Sequence, residues 1–184
     1  LKVLKLEGDI ITTPYSFAAT SNAIKMAGLN PVFVDIDPVS FNLDANLIED
    51  KITDNTSAIL PVHVYGKPCE NDKLQEIAVK HGVRLIYDAA HAFGVKMNGE
   101  SILSWGDLSV ISFHATKIFN TFEGGAIISQ SLEIKEKVDQ YRNFGLINPV
   151  TVDLIGLNGK MSELNAAIGL LQLDKFESVN LLRR

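Results

Sequence analysis

Short apolar runs alternate along the chain with stretches whose apolar residues recur every three to four positions. Residues 9–13 form a β-branched run that Pro14 ends. Ser16 is placed to cap a helix over 17 to about 27, with Gly28 as its stop. Residues 31–34 and 57–62 are two further strand candidates, separated by a weakly helical segment at 44–52. Leu74, Ile77, Ala78 and His81 fall at i, i+3, i+4 and i+7, one face of a helix that Gly82 closes. Residues 83–88 then form a mostly apolar strand ending in a carboxylate, Asp88. Two more short runs lie at 108–112 and 125–129. A helical pattern spans 132–143, with Ile134, Val138 and Tyr141 on one face. Leu164, Ala167, Ile168 and Leu171 mark a last helix entered from Ser162.

Strands that are apolar throughout, each separated by a helix, predict an α/β fold with a mainly parallel sheet flanked by helices on both faces. Ligands of such sheets bind outside the carboxyl ends of the strands. The length of 184 residues fits one domain, and no repeat, linker or low-complexity tract divides it. Hydrophobic residues at 46% and charged residues at 21% exclude disordered and collagen-like classes. A net charge of −5 provides no positive field for nucleic acid or an anionic membrane. Cys69 is the single cysteine, which excludes an internal disulfide framework and a cysteine-based zinc cluster. No apolar run reaches the roughly 18 residues of a membrane span. The setting reads as cytoplasmic. The sequence starts at Leu1, with residues 1–6 patterned like a helix tail stopped by Gly8, and residues 181–184 lie inside a helical pattern. The chain is therefore expected to be the middle of a longer protein, incomplete at both ends.

The stretch richest in chemistry is Tyr87-Asp-Ala-Ala-His-Ala-Phe-Gly94, followed by Ser112-Phe-His-Ala-Thr-Lys117. Singly, Asp88 reads as a strand-end cap and Lys117 as a solvated loop lysine. Together they sit at the strand ends where the sheet rule puts ligands, among small residues: Ala89, Ala90, Ala92 and Gly94, and the Glu123-Gly-Gly-Ala126 turn. A lysine amine and an acid around room for a flat ligand suit pyridoxal 5'-phosphate. The amine forms a Schiff base, and the acid keeps the pyridine nitrogen protonated so that the ring acts as an electron sink.

Asp88-Ala-Ala-His-Ala-Phe-Gly94, Ser112-Phe-His-Ala-Thr-Lys117, Glu123-Gly-Gly-Ala126 and Gly156-Leu-Asn-Gly-Lys-Met-Ser-Glu163 together resemble the DegT/DnrJ/EryC1/StrS family. These are pyridoxal-phosphate aminotransferases of nucleotide-linked keto-sugars. Thr12-Thr-Pro-Tyr-Ser-Phe-Ala-Ala-Thr20, Val34-Asp-Ile-Asp37 and Leu60-Pro-Val-His-Val-Tyr-Gly66 follow the family's order, so the resemblance covers nearly the whole chain. It implies that residues 1–184 belong to the large domain of a fold-type-I transferase. An upstream phosphate-binding turn and a downstream small domain would lie outside. It also implies roles. Lys117 would be the Schiff-base lysine and the proton-moving base, Asp88 the partner of the pyridinium nitrogen, and His91 a contact of the ring hydroxyl. Ser112 would donate to the cofactor phosphate, Phe17 would stack on the ring, and Asn158 would reach the phosphate of a neighbouring subunit in a homodimer with shared sites. An amino acid, usually glutamate, would convert the cofactor to pyridoxamine phosphate, and a nucleotide-linked keto-deoxysugar would then take the amine. Two positions depart from the family: Lys160 stands where arginine is frequent, and Phe122 where a smaller residue is common. Retention of Lys117, which a dehydratase branch replaces by histidine, favours transamination.

Other readings compete. His63, His91 and His114 with Asp88 could form a metal-dependent hydrolase site, although no HExxH-type spacing appears and Lys117 would then have no role. A Rossmann-type nucleotide module fits the alternation but lacks both GxGxxG and GxxxxGK[ST]. A non-catalytic relative that binds the cofactor or sugar is the third. Taken alone, Phe17 reads as a core residue, Ser112 and Asn158 as turn or cap residues, and His91 as a satisfied interior histidine.

Overall fold

The structure is a computed structural model and describes residues 1–183. Strands β1 (Asp9–Thr12), β2 (Asn30–Phe33), β3 (Thr56–Leu60) and β4 (Arg84–Asp88) come first. A hairpin of β5 (Lys96–Met97) and β6 (Glu100–Ser101) follows, then β7 (Leu108–Ser112), β8 (Gly125–Ser129) and a second hairpin of β9 (Leu146–Asn148) and β10 (Thr151–Val152). The helices are α1 (Ala18–Met26), α2 (Asn71–His81), α3 (Leu132–Arg142), α4 (Glu163–Leu173) and α5 (Phe176–Leu182). Six strands form the central sheet in the order β2-β1-β3-β4-β7-β8. All neighbours are parallel except β8, which runs antiparallel to β7. The expected mainly parallel sheet is borne out.

The strands are apolar throughout because both faces of the sheet are covered. Successive residues alternate between two cores, following the two-residue period of a strand. Ile11, Ile59, Leu85 and Tyr87 pack with Leu74, Ile77 and Ala78 of α2. Their chain neighbours Ile10, Ala58, Leu60 and Ile86 pack with Ile24 of α1 on the other face, where Ile134 of α3 also rests. The register sets Ile10 beside Ala58 and Ile11 beside Ile59, so like faces meet along the sheet. Gly82 ends α2 in the left-handed conformation at φ 65°, and Pro31 is tolerated because β2 is an edge strand.

Three local expectations are corrected. Ser16 does not cap α1: Phe17 holds the N-cap position without a side-chain bond, and the Ser16 hydroxyl pairs with Thr20 instead. Residues 44–52 form two 3-10 turns, Ala45–Leu47 and Glu49–Lys51, rather than a helix. Asp44 accepts from the Asn46 amide, the local bonding with which Asp and Asn compete against helix. Residues 1–6 hold only a 3-10 turn, Lys2–Leu4, closed by Lys5 at φ 52°. Leu1, Leu4 and Leu6 nevertheless pack on the core. Helix α4 is entered from a Ser162 cap, as expected, and its leucine face lies outside the core. Gly169 is its buried residue, while Leu164, Leu170 and Leu171 are exposed.

One core histidine makes acid stability predictable. His63 is fully buried, stacks on Tyr87 at 4.6 Å between centroids, and accepts the Cys69 amide on Nδ1 at 3.2 Å. Burial lowers its pKa to about 4. The unfolded chain therefore takes up a proton below its ordinary value of about 6.5 that the folded chain refuses, so stability is full at neutral pH and falls as pH drops from about 6.5 to about 4. The expected loss is about 3 kcal/mol. Urea unfolding at several pH values measures it. His63→Phe, which retains the stack but binds no proton, should flatten that part of the slope, and an unaltered slope would refute the assignment.

Candidate active site

Asp88 ends β4 with its backbone held on both sides. Its amide donates to Pro61 O at 2.9 Å, its carbonyl accepts from the His63 amide at 3.0 Å, and the Ala89 amide donates to Val110 O at 2.8 Å. The carboxylate is held too. Oδ2 accepts from Thr20 Oγ1 at 2.6 Å and Oδ1 from the Ala90 amide at 3.1 Å. A tight turn follows, closed by Ala92 N to Ala89 O at 2.8 Å, with Ala89 and Ala92 fully buried. This turn carries His91, whose ring lies parallel to that of Tyr65 at 6.3 Å. Partial desolvation is the larger cause of a lowered His91 pKa; the positive charge of Lys117 adds to it and Asp88 opposes it. His91 thus feels both groups that the sequence paired.

Lys117 lies in the loop after β7. The loop is closed on itself by Lys117 N to His114 O at 2.9 Å, Thr121 N to Phe113 O at 2.9 Å, and Asn120 Nδ2 to Lys117 O at 3.2 Å. Aromatic packing ties it to the His91 turn: Phe93 stacks on Phe119 at 4.2 Å and meets Phe113 and Phe176 edge-on. The arrangement is tight enough that a Cβ on Gly94 would come within 2.5 Å of the Phe176 ring. A cleft of about 600 Å³ opens between turn and loop, lined by Tyr65, Ala90, His91, Gly94 and Lys117 among others. Asp88 does not line it; the acid sits two residues before Ala90. Gly66 at φ 79° lets the Tyr65 segment approach, since a Cβ there would meet the His91 carbonyl at 2.7 Å.

The remaining residues are more dispersed. Phe17 is 83% exposed at the start of α1, so it is not a core residue. Ser112 ends β7, and its Oγ accepts from the His114 amide at 3.2 Å, leaving its own O–H for another acceptor. Asn158 is exposed, bridges Asn143, accepts from Lys160 Nζ at 2.5 Å, and lies outside the cleft. Lys160 also sits 4.1 Å from the centroid of Phe144. Phe122 is accommodated by left-handed backbone at φ 63°, a conformation that costs a side-chain-bearing residue about 1–2 kcal/mol. The histidines of the metal reading do not converge. His63 is in the core, His91 faces Tyr65 and His114 pairs with Thr116. Among the described residues, no three His, Cys, Asp or Glu side chains are grouped to hold a metal ion.

Sequence reading missed Thr20, Tyr65 and the phenylalanine cluster. Thr20 reaches Asp88 across 68 positions, and the phenylalanines come from three separate segments, so neither carries a periodic signal.

The donor set fits a phosphorylated pyridine aldehyde. An amine and an imidazole face one cleft, and beside it stands an acid whose two oxygens already accept hydrogen bonds and can accept another from a protonated ring nitrogen. The fold is that of the large domain of fold-type-I pyridoxal-phosphate transferases. The chain belongs to the DegT/DnrJ/EryC1/StrS aminotransferase family, which it matches over residues 1–184. It is 54% identical over 178 residues to the dTDP-4-amino-4,6-dideoxy-D-glucose transaminase of Shigella dysenteriae, covering 97% of this chain and 48% of that protein. The crystal structure of DesI in the presence of its TDP-sugar product superposes with a TM-score of 0.90 at 43% identity, over 96% of this chain and 45% of that one. NtdA from Bacillus subtilis, with bound cofactor PMP, superposes with a TM-score of 0.89 at 34% identity, over 96% and 41%. The chain spans about half the length of the curated relatives it matches. Among the described residues, no helix is long and apolar enough to cross a membrane.

Proposed function

We propose that the protein is a pyridoxal-phosphate-dependent aminotransferase that moves an amino group from an amino acid, glutamate, to a nucleotide-linked keto-deoxysugar. Residues 1–184 form most of its large domain, in a cytoplasmic homodimer with shared sites. The observation that carries this reading is the clustering of Lys117 and Asp88 around His91 at the carboxyl edge of a parallel sheet. When bound, the cofactor supplies an electron sink for the carbon that gains or loses the amino group.

The protein's own residues divide the remaining work. Lys117 holds the cofactor through its ε-amine and, once released from it, carries the proton between carbon centres, a task set by reach rather than resting pKa. Asp88 accepts a hydrogen bond from the ring nitrogen and so keeps a proton there. His91 faces the ring hydroxyl, Ser112 donates to the phosphate, and Phe17 covers a ring face. Asn158, outside the cleft of its own chain, serves the phosphate of the neighbouring subunit. The amine leaves one substrate as a water supplies the carbonyl oxygen of its keto acid, and enters the other as that substrate's carbonyl oxygen is lost as water. Water exclusion falls to the phenylalanine-backed wall of the cleft.

The test uses the purified full-length protein. A near-visible absorbance band that borohydride bleaches, followed by conversion of a 4-keto-6-deoxysugar nucleotide to its amine with glutamate, is expected. A colourless protein that aminates no dTDP-, UDP- or GDP-linked keto-sugar would overturn the proposal.

A further inference from the structure

We infer that Thr20 is a positioning residue for Asp88, with Ser16 behind it, so that helix α1 sets the orientation of the acid. The inference rests on the aminotransferase reading. Thr20 lies in the first turn of α1 and is 5% exposed. Its Oγ1 is 2.6 Å from Asp88 Oδ2 and 2.6 Å from Ser16 Oγ. A hydroxyl has one proton, and an ionised carboxylate only accepts. The Thr20 proton therefore goes to Asp88, and Ser16 must donate to Thr20. Donors point inward from exposed Ser16 to the acid. Each bond polarises the next, and an O–H to carboxylate contact of this length is in the strong, charge-assisted range.

Both residues forgo an ordinary local partner to make this chain. A helical threonine usually has the carbonyl one turn back within reach, yet Thr20 bonds across the sheet to β4. A serine before a helix usually caps it, yet α1 has no side-chain cap and Ser16 bonds Thr20. With the Ala90 amide on Oδ1, the carboxylate has a donor on each oxygen, which fixes its plane. The free lone pairs then point in one direction, toward whatever N–H the site receives. The same helix starts at Phe17, so the ring-covering side chain and the acid's orientation are set by one rigid element.

Three variants of the full-length protein test this: Thr20→Val, which retains the shape, Thr20→Ser, which retains the hydroxyl, and Ser16→Ala. The readouts are pyridoxal-phosphate affinity of the cofactor-free protein, kcat and KM of the glutamate half-reaction, and melting temperature. Losing a hydrogen bond to a charged group should weaken cofactor affinity about 10-fold or more in Thr20→Val and lower kcat by a similar factor. The KM for glutamate should change little. Thr20→Ser should stay within about threefold of wild type, and Ser16→Ala should fall between them, as the outer bond is neutral. Wild-type affinity and kcat in Thr20→Val would overturn the inference. So would equal losses in Thr20→Val and Thr20→Ser, which would mark a packing role. A wild-type protein that binds no pyridoxal phosphate would instead overturn the functional reading itself.

Discussion

Lys117→Ala in the full-length protein is expected to eliminate covalent attachment of the cofactor and to lower turnover by about four orders of magnitude. That is the upper range for removing a positioned proton-transfer group, applied here to a residue that the proposed function also makes the point of attachment. No other described amine can take its place in the cleft: Lys96 is the second lysine lining it, but it sits in the β5–β6 hairpin and is exposed. The substitution should leave the fold intact. Lys117 is half-buried, its loop is closed by backbone bonds, and the phenylalanines beneath it are untouched. Unfolding free energy should therefore change by no more than about 0.5 kcal/mol. Loss of the near-visible band and of product, with an unchanged urea midpoint, is the expected pattern. Turnover within tenfold of wild type would show that the amine has been assigned to the wrong residue.

Asp88→Asn should leave the cofactor bound and slow proton removal from the amino acid by at least about 100-fold, the lower range for loss of a proton-holding group. The physical reason lies in the donors that surround the acid. Thr20 Oγ1 and the Ala90 amide both present hydrogens to it. An amide has one acceptor and one donor end, so its oxygen would settle on the fixed Ala90 amide and its NH2 would face Thr20. The Thr20 hydroxyl would have to turn round, and the Ser16 bond with it. The ring nitrogen would lose the partner that holds its proton, and an unprotonated ring is the weaker electron sink, which alone accounts for the rate loss. The disturbed hydrogen bonds should also cost about 1–2 kcal/mol of stability. Stopped-flow measurement of the glutamate half-reaction separates the two effects; a rate within threefold of wild type would remove the acid from the mechanism.

The sheet was legible because its strands are covered on both faces. Ile10 and Ile11, or Leu85, Ile86 and Tyr87, are apolar in succession because each neighbour enters a different core. Helix α2 was legible for the complementary reason: Leu74, Ile77 and Ala78 fill one core and Gly82 terminates the turn. Asp88 and Lys117 could be read from their places at strand ends, a rule of topology rather than of local pattern. Periodicity found α4, but it reports that a helix has an apolar face without saying what covers it; here Gly169, not the leucines, meets Thr121. Ser16 was misread because a capping residue and a hydroxyl relay have the same sequence signature. The partner that decides between them, Asp88, is 72 residues away in the chain, as the numbering of the two shows.

The His91 turn is held by two aromatic groups, of which the stacked pair Phe93 and Phe119 belongs to one. These rings tie the imidazole-bearing turn to the amine-bearing loop, with Phe113 and Phe176 edge-on to Phe93. Tyr15, Phe41 and Tyr65 form the other, of which Tyr65 lines the cleft and lies parallel to His91. Under the proposed function, a substitution at Tyr15 or Phe41 would therefore act on the cleft through Tyr65.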